Sequence, residues 1–427
     1  MPNIYENMPD FKGGHRIITW ASMHCLPEWQ REIWASEVYK LAEEYSLYGD
    51  TYYTRKKEIG RFVELPDGTP PDWEVVTLRF KHHYDQAVDY WESPFYDQVE
   101  RVVGHYMRSI AESLAADDVN SAAQFAGSAA HYLEDSGVPA HGADFGDLEF
   151  VKDYLPPPSE FVCFPLHGYT EQSPPLFLID DYEPRLFGVT VEEAAANFVH
   201  RYAELVIYAR SLLFPLAQCA YDKNDEEASR LRLKAAKMCA YVYADFMYTA
   251  GCIGKSRFEP AQVEKLSMHR LTDLWPYRMS AWAPAPYFEP GPMRLRGINL
   301  NMDRKPIPCE LLLKEDHRER RERFEEALGA GAYFEYQYRL AAGVFKKFTG
   351  LVGIHARLGA RRPIDIKVMA DEKCVFERVA KPGEPAAKID VAIDGCRDIK
   401  LISSGPWYTE PDGSDNHVVW ALPRVSK

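Results

Sequence analysis

Within one short segment, His131-Tyr-Leu-Glu-Asp135-Ser-Gly-Val-Pro139-Ala-His141, the order of residues leaves little freedom for the local fold. His131 and Asp135 stand four residues apart, so a helix sets imidazole and carboxylate on one face. Pro139 ends that helix, because it has no N–H to donate and pushes the residue before it out of the helical region. His141 can then turn back from a loop. Further on, His167-Gly-Tyr-Thr-Glu171 repeats the four-residue interval. One His-x-x-x-Asp pair arises often by chance and alone reads as a surface or capping pair. Two such pairs with Pro139 and His141 between them read as a set of metal ligands. Two imidazole–carboxylate pairs and a fifth donor exceed what one tetrahedral zinc needs. The donor set therefore points to at least two ions, which a carboxylate such as Asp135 can bridge.

These motifs resemble those of the zinc-dependent phospholipases C, a superfamily that includes the clostridial alpha-toxins and is related to fungal single-strand nucleases. The family motif is His, three residues, Asp, then Pro and a second His, and later His, three residues and Glu or Asp. Residues 131–141 and 167–171 follow it position by position. Lys81-His82-His83-Tyr84-Asp85 is similar to the family's histidine ligand with its following aromatics and Asp, which implies His82 as the ligand and His83 as the alternative. Tyr48-Gly49-Asp50-Thr51-Tyr52 is similar to the family's tyrosine-rich turn, whose Asp binds zinc and takes a proton from the attacking water. The resemblance gives Asp50 that role, with Asp67 and Asp72 as alternatives.

Gly13-Gly14-His15 resembles the family's N-terminal His ligand, at a site that members complete with the amine and carbonyl of a terminal Trp. This chain opens Met1-Pro2 instead. Removal of Met1 would leave a Pro2 amine at about the family distance from His15. The implied ligands are thus His15, Asp50, His82, His131, Asp135, His141, His167 and Glu171, holding two to three zinc ions, with Asp50 also catalytic.

Between Asp50 and His82 the chain carries an insertion relative to the family. Glu58-Ile-Gly-Arg-Phe-Val-Glu-Leu and Trp73-Glu-Val-Val-Thr-Leu alternate around Pro66-Asp67-Gly68, which predicts a β-hairpin near 56–80. A hairpin returns to its start, so Asp50 and His82 would stay close.

The rest of the first two thirds reads as helix. Apolar residues recur at helical spacing over 28–45, 94–115, 121–135, 190–220 and 225–250. Thr190-Val-Glu-Glu193 reads as a capping box. His24, His105, His200 and His269 lack partners in a recognisable pattern and read as core or surface histidines. Residues 156–185, rich in proline and aromatics, read as an irregular loop forming a wall of a cleft.

Trp275-Pro276 through Pro292 has the composition of a linker, and beyond residue 320 the pattern alternates as β-strands separated by Gly and Pro turns. The expectation is a multidomain chain: a mainly α-helical metallohydrolase domain over 1–285, a linking region over 286–325, and a jelly-roll-like β-sandwich over 326–427. Phe348-Thr-Gly-Leu-Val-Gly-Ile, Val391-Ala-Ile-Asp-Gly-Cys-Arg-Asp-Ile-Lys-Leu and Asp415-Asn-His-Val-Val-Trp420-Ala-Leu-Pro resemble the novel carbohydrate-binding module family. Asp415, His417 and Trp420 read as braces of the sandwich in preference to a sugar site, so no carbohydrate-binding residue is assigned.

At 427 residues the chain exceeds what one hydrophobic core usually supports. Its net charge of −14, with no basic run, argues against a duplex nucleic acid partner held by phosphate neutralisation. No stretch has the apolar length to span a bilayer, and residues 1–20 lack the design of a signal peptide. The resembled family is secreted, so a secreted or periplasmic location follows from resemblance and a cytoplasmic one from the missing leader. Eight cysteines show no Cys-x-x-Cys and read as buried thiols, with room for one or two disulfides.

The resemblance implies a zinc-dependent hydrolase acting on phosphodiesters, phospholipid before single-stranded nucleic acid or phosphoglycan, with Tyr52, Tyr53, Phe161, Phe164 and Tyr169 available to line a cleft. Two alternatives are a single-strand nuclease of the same superfamily, and a non-catalytic glycan-binding or adhesion protein with a structural metal.

Overall fold

The computed structural model describes residues 9–71, 93–141, 163–276, 278–281, 298–300, 306–330, 334–404 and 417–427. Close packing separates residues 9–71 and 97–264 from residues 265–427.

The first unit is helical. Its described helices are α1 (Gly14–His24), α2 (Glu28–Trp34), α3 (Val38–Glu43), α4 (Tyr48–Val63), α5 (Ser93–Ala115), α6 (Val119–Ser136), α7 (Cys163–Thr170), α8 (Val191–Ser211), α9 (Leu213–Asp222), α10 (Asp225–Gly254) and α11 (Pro260–Lys265). A 3-10 turn, Tyr45–Leu47, leads into α4. Helix α6 is the axis of this unit. Asp118 caps it by accepting from the Ser121 N–H at 3.0 Å, and every side chain from Ala126 to Ser136 is buried. Its small residues let neighbours approach closely: a Cβ on Gly127 would lie 2.3 Å from the Cβ of Tyr45.

Helices α8 and α10 brace the unit without contributing ligands. Asp245 on α10, fully buried, accepts from Arg201 Nε at 3.0 Å, from the Tyr182 hydroxyl at 2.7 Å and from the Arg185 N–H at 2.8 Å. These partners satisfy a carboxylate that would otherwise be costly to bury. At the start of α8, Thr190 Oγ1 accepts from the Glu193 N–H at 3.2 Å, and Glu193 Oε2 accepts from the Val189 N–H at 3.3 Å. The return bond of the expected capping box thus lands one residue earlier.

The expected hairpin is corrected. Residues 58–63 continue α4 as helix. Ile59, Phe62 and Val63 are buried at helical spacing, whereas Ile59, Val63 and Leu65 stand at even intervals that also read as one face of a strand. The Pro66-Asp67-Gly68 turn itself is present: the Leu65 N–H donates to Thr69 O at 2.7 Å and Gly68 takes φ +77°, which suits glycine. The other arm, residues 73–78, lies outside the described residues. The expected loop over 156–185 also differs, since α7 falls within it, whereas residues 173–179 carry no regular structure.

Among its described residues the second unit contains two five-stranded antiparallel sheets, together a β-sandwich, and two strand pairs, β3 (Ile298–Leu300) with β4 (Pro306–Pro308) and β5 (Glu310–Glu315) with β6 (Arg318–Arg323). One sheet has β1 (Met268–Arg270), β14 (Val418–Ser426), β9 (Lys347–Ile354) and β12 (Ala387–Ala392) in that order, with β7 (Ala327–Ala330) also paired to β14. The other runs β11 (Lys373–Ala380), β10 (Ile364–Ala370), β13 (Asp398–Ser404), β8 (Phe334–Arg339), β2 (Arg278–Ala281). Alternation directs the packing: Ile364, Ile366 and Val368 of β10 and Ile399 and Leu401 of β13 are fully buried. Strands β1 and β2 begin the sandwich earlier in the chain than the linker-like composition of 275–292 implied. Trp420 is 1% exposed and His417 is buried, which agrees with bracing, while Asp415 lies outside the described residues. The seven cysteines whose side chains are described are free thiols. No helix among the described residues is long and apolar enough to cross a membrane.

Candidate metal centre

Helix α6 delivers the first donors. His131 and Asp135 lie on one face, with His131 Nε2 3.1 Å from Asp135 Oδ2. Helix α1 adds His15, whose Nε2 is 3.4 Å from Asp135 Oδ1 and whose ring lies 4.7 Å from that of His131. Asp50, in the first turn of α4, places Oδ1 3.8 Å from His131 Nε2 and keeps its side chain largely exposed. One donor atom each from His15, Asp50 and His131 falls within 4.8 Å of the others.

A second cluster forms where α6 ends. After Ser136 the chain turns, the Val138 N–H donating to Asp135 O and the His141 N–H to Val138 O, both at 3.0 Å. This turn carries His141 to His167 and Glu171, which share a face of α7 and the residue following it. The His141 and His167 rings stack at 4.8 Å, and their Nε2 atoms lie 2.5 and 3.1 Å from Glu171 Oε1. Their donor atoms also lie within 4.8 Å of one another.

Seven of the eight expected ligands are therefore gathered into two groups, with Asp135 flanked by two histidines of the first. His82 and its alternative His83 lie outside the described residues, as does Asp72. Asp67 is occupied elsewhere, accepting from the Thr69 hydroxyl at 2.5 Å, from the Thr69 N–H at 3.0 Å and from Arg101 at 2.9 Å, which together hold its carboxyl down at about 2. His24, read as lacking a partner, has one from a distant loop: its Nδ1 lies 2.9 Å from Asp180. His105 is half-buried and His200 is buried. His269 meets the ring of Phe345 edge-on.

The donors suit a divalent cation. Burial, with the charge of His15 beside it, pushes His131 down to about 3, so it is a neutral base. Its Nδ1 lies 3.2 Å from Ser46 O; donation there leaves Nε2 as the lone-pair nitrogen facing the cluster. Burial drives Asp135 up to about 8, with Asp50, Glu134 and Glu171 adding repulsion that His15 only partly offsets. A carboxylate packed this way lacks positive charge, which a metal ion would supply. For His15 burial alone would lower the pKa, yet Glu134, Asp135 and Asp50 raise it to about 9. At Glu171 burial acts upward but His141 outweighs it, and the carboxyl lies below its usual range.

One functional neighbour was missed from sequence. Glu134 stands inside the motif, between the two α6 ligands, but points off their face toward α1, where Oε2 meets His15 Nδ1 at 2.7 Å and Oε1 accepts from Thr19 Oγ1 at 2.6 Å. No spacing rule marks it, because both partners lie more than a hundred residues away. Of the expected cleft aromatics, Tyr53 is exposed, Tyr52 is buried with its hydroxyl donating to Glu64, and the Tyr169 hydroxyl donates to Asp225. The side chains of Phe161 and Phe164 lie outside the described residues.

Comparison with curated proteins gives no match. Among solved structures the chain is similar to alpha-toxin of an avian Clostridium perfringens strain, at 12% identity and TM-score 0.33, over 92% of this chain and 87% of that one. It is also similar to a Clostridium perfringens GH95 CBM51 domain in complex with methyl-galactose, at 17% identity and TM-score 0.29, over 37% of this chain and 99% of that one. A third likeness is to the M60 catalytic domain of Clostridium perfringens ZmpB with two CBM51 domains, at 17% identity and TM-score 0.28. That match covers 38% of this chain and spans only 15% of the other. Residues 301–426 match the model of the NPCBM/NEW2 domain.

Proposed function

We propose that the chain is a zinc-dependent phosphodiester hydrolase of phospholipase C type. The observation that carries this reading is the pair of three-donor groups, His15, Asp50 and His131, and His141, His167 and Glu171, with Asp135 in contact with the first. Every donor is imidazole or carboxylate. A structural zinc prefers a closed four-ligand shell, often built from cysteines, and these groups hold no thiol and include the exposed Asp50. They fit catalysis better than bracing.

His15, Asp50, His131 and Asp135 would hold one ion and His141, His167 and Glu171 another, with Asp135 shared and His82 completing the set. Zinc bound there supplies a water of lowered pKa and positive charge for phosphate oxygens. The remaining work falls to side chains. Asp50, the most exposed carboxylate of the first group, is the base that orients water or takes its proton. Glu134 and Ser46 hold His15 and His131 with Nε2 forward. Specificity between a lipid head group and a base rests with the surrounding loops, including the exposed Tyr53. The NPCBM/NEW2 domain would concentrate the hydrolase on a glycan or glycan-bearing surface.

Hydrolysis of a chromogenic phosphodiester, lost on chelation and restored by zinc, supports this reading. Zinc bound without any such turnover would favour a structural metal in a glycan-binding protein. A screen of phosphatidylcholine, single-stranded DNA and RNA, and phosphoglycans then separates the phospholipase from the nuclease.

A further inference from the structure

We propose that Glu134 is a positioning residue that holds His15 in the orientation needed for zinc, through an imidazole–carboxylate hydrogen bond buried between α1 and α6. The inference rests on the metal reading above and extends it to a side chain outside the ligand set.

The geometry has three parts. Glu134 is 1% exposed, and a carboxylate in such a place is retained only where both its oxygens are answered. Both are: Oε2 by His15 Nδ1 at 2.7 Å and Oε1 by Thr19 Oγ1 at 2.6 Å. His15 and Thr19 are four residues apart on α1, so one helix face presents both groups to one carboxylate. The hydrogen bond at Nδ1 then decides what the other nitrogen does. With the proton held on Nδ1, Nε2 carries the lone pair, and it is Nε2 that lies 3.4 Å from Asp135 Oδ1. Carboxylates in this relation to a ligand imidazole fix its tautomer and ring plane and raise its basicity, and their loss typically weakens metal binding by about 10–100-fold.

A purely structural role, in which Glu134 pins α1 to α6, makes a different prediction, because it would weaken both donor groups together. The test is zinc titration of the full chain against a chromophoric chelator, for the parent, Glu134→Gln, His15→Gln and the double variant. Glu134→Gln is expected to weaken one zinc by about 10–100-fold and to leave the zinc at His141, His167 and Glu171 unchanged. It should add nothing further in the His15→Gln background. Unchanged affinity in Glu134→Gln beside a zinc-binding parent overturns this inference alone, as does equal loss at both groups. A parent that binds no zinc overturns the metal reading and the inference with it. Should Glu134→Gln fail to fold, nitrogen NMR of the zinc-loaded parent decides. A His15 protonated at Nδ1 is expected, and a proton on Nε2 overturns the proposal.

Discussion

Gly49 lies against the imidazole of His131: a Cβ built on Gly49 would fall 1.9 Å from His131 Cδ2. Helix α4 and helix α6 can therefore bring Asp50 and His131 together only because the residue before Asp50 has no side chain. Replacing Gly49 with Ala would by propensity favour the helix by about 1 kcal/mol. Overpacking against His131 should cost about 1–3 kcal/mol and turn the ring away from Asp50. Gly49→Ala is expected to lower zinc content and thermal stability together. Retention of parental zinc would show that His131 does not need its observed place.

Asp135 contacts both His15 and His131, and the turn built on its carbonyl leads to His141. Asp135→Ala should lose more zinc than any other single ligand replacement, measured as metal per chain after gel filtration. Zinc content equal to that of the parent would remove Asp135 from its proposed bridging place.

Metal removal should expose a pH dependence. His15 is raised from 6.5 to about 9, so its contribution to metal-free stability is complete below pH 6.5 and is lost as pH rises through 9. Asp135, raised from 3.8 to about 8, acts in the same sense, its contribution complete below 3.8 and lost through 8. His131 is lowered to about 3, so its contribution is already complete above 6.5. Between pH 6.5 and 8 the metal-free protein should lose stability, while zinc binding, which needs deprotonated donors, strengthens. The gap in melting temperature between zinc-loaded and metal-free protein is expected to widen across this window. A constant gap would mean that these groups do not titrate in the metal-free fold.

How much of this was legible in the sequence depends on the range of the interaction. His131 with Asp135, and His167 with Glu171, are local pairs fixed by helical spacing, and Pro139 marked the turn that carries His141. The strands of the sandwich were equally readable from alternation, as at Ile364, Ile366 and Val368. Residues 58–65 failed because a few apolar positions satisfy two periods at once, and the extension of α4 from Asp50 decided between them. Glu134 and the partner of His24 were invisible because each contact spans distant segments. Strand β2 was hidden in a stretch whose prolines and aromatics resembled a linker, and β1 is three residues long, too short to show a period, although pairing with β8 and β14 makes them part of the sheets.

That pairing sets the proposed division of labour. A fragment ending at Glu264 should retain zinc and hydrolyse small soluble phosphodiesters, losing only its concentration on glycan-bearing surfaces. A sandwich fragment from Lys265 should stay monomeric, whereas one begun at residue 286 lacks β1 and β2 and exposes the edge of β8. Gel filtration distinguishes them: aggregation of the shorter fragment alone is expected. Equal loss of activity on soluble and glycan-bearing substrates after truncation would mean that the sandwich belongs to the catalytic fold.

Two donor groups, one on α1, α4 and α6 and one on the turn after α6 and on α7, are proposed to hold zinc. An anomalous diffraction map at the zinc edge, from crystals grown with zinc, tests this most directly. At least two peaks are expected, one among His15, Asp50, His131 and Asp135 and one among His141, His167 and Glu171. A map without density at either group would contradict the proposal.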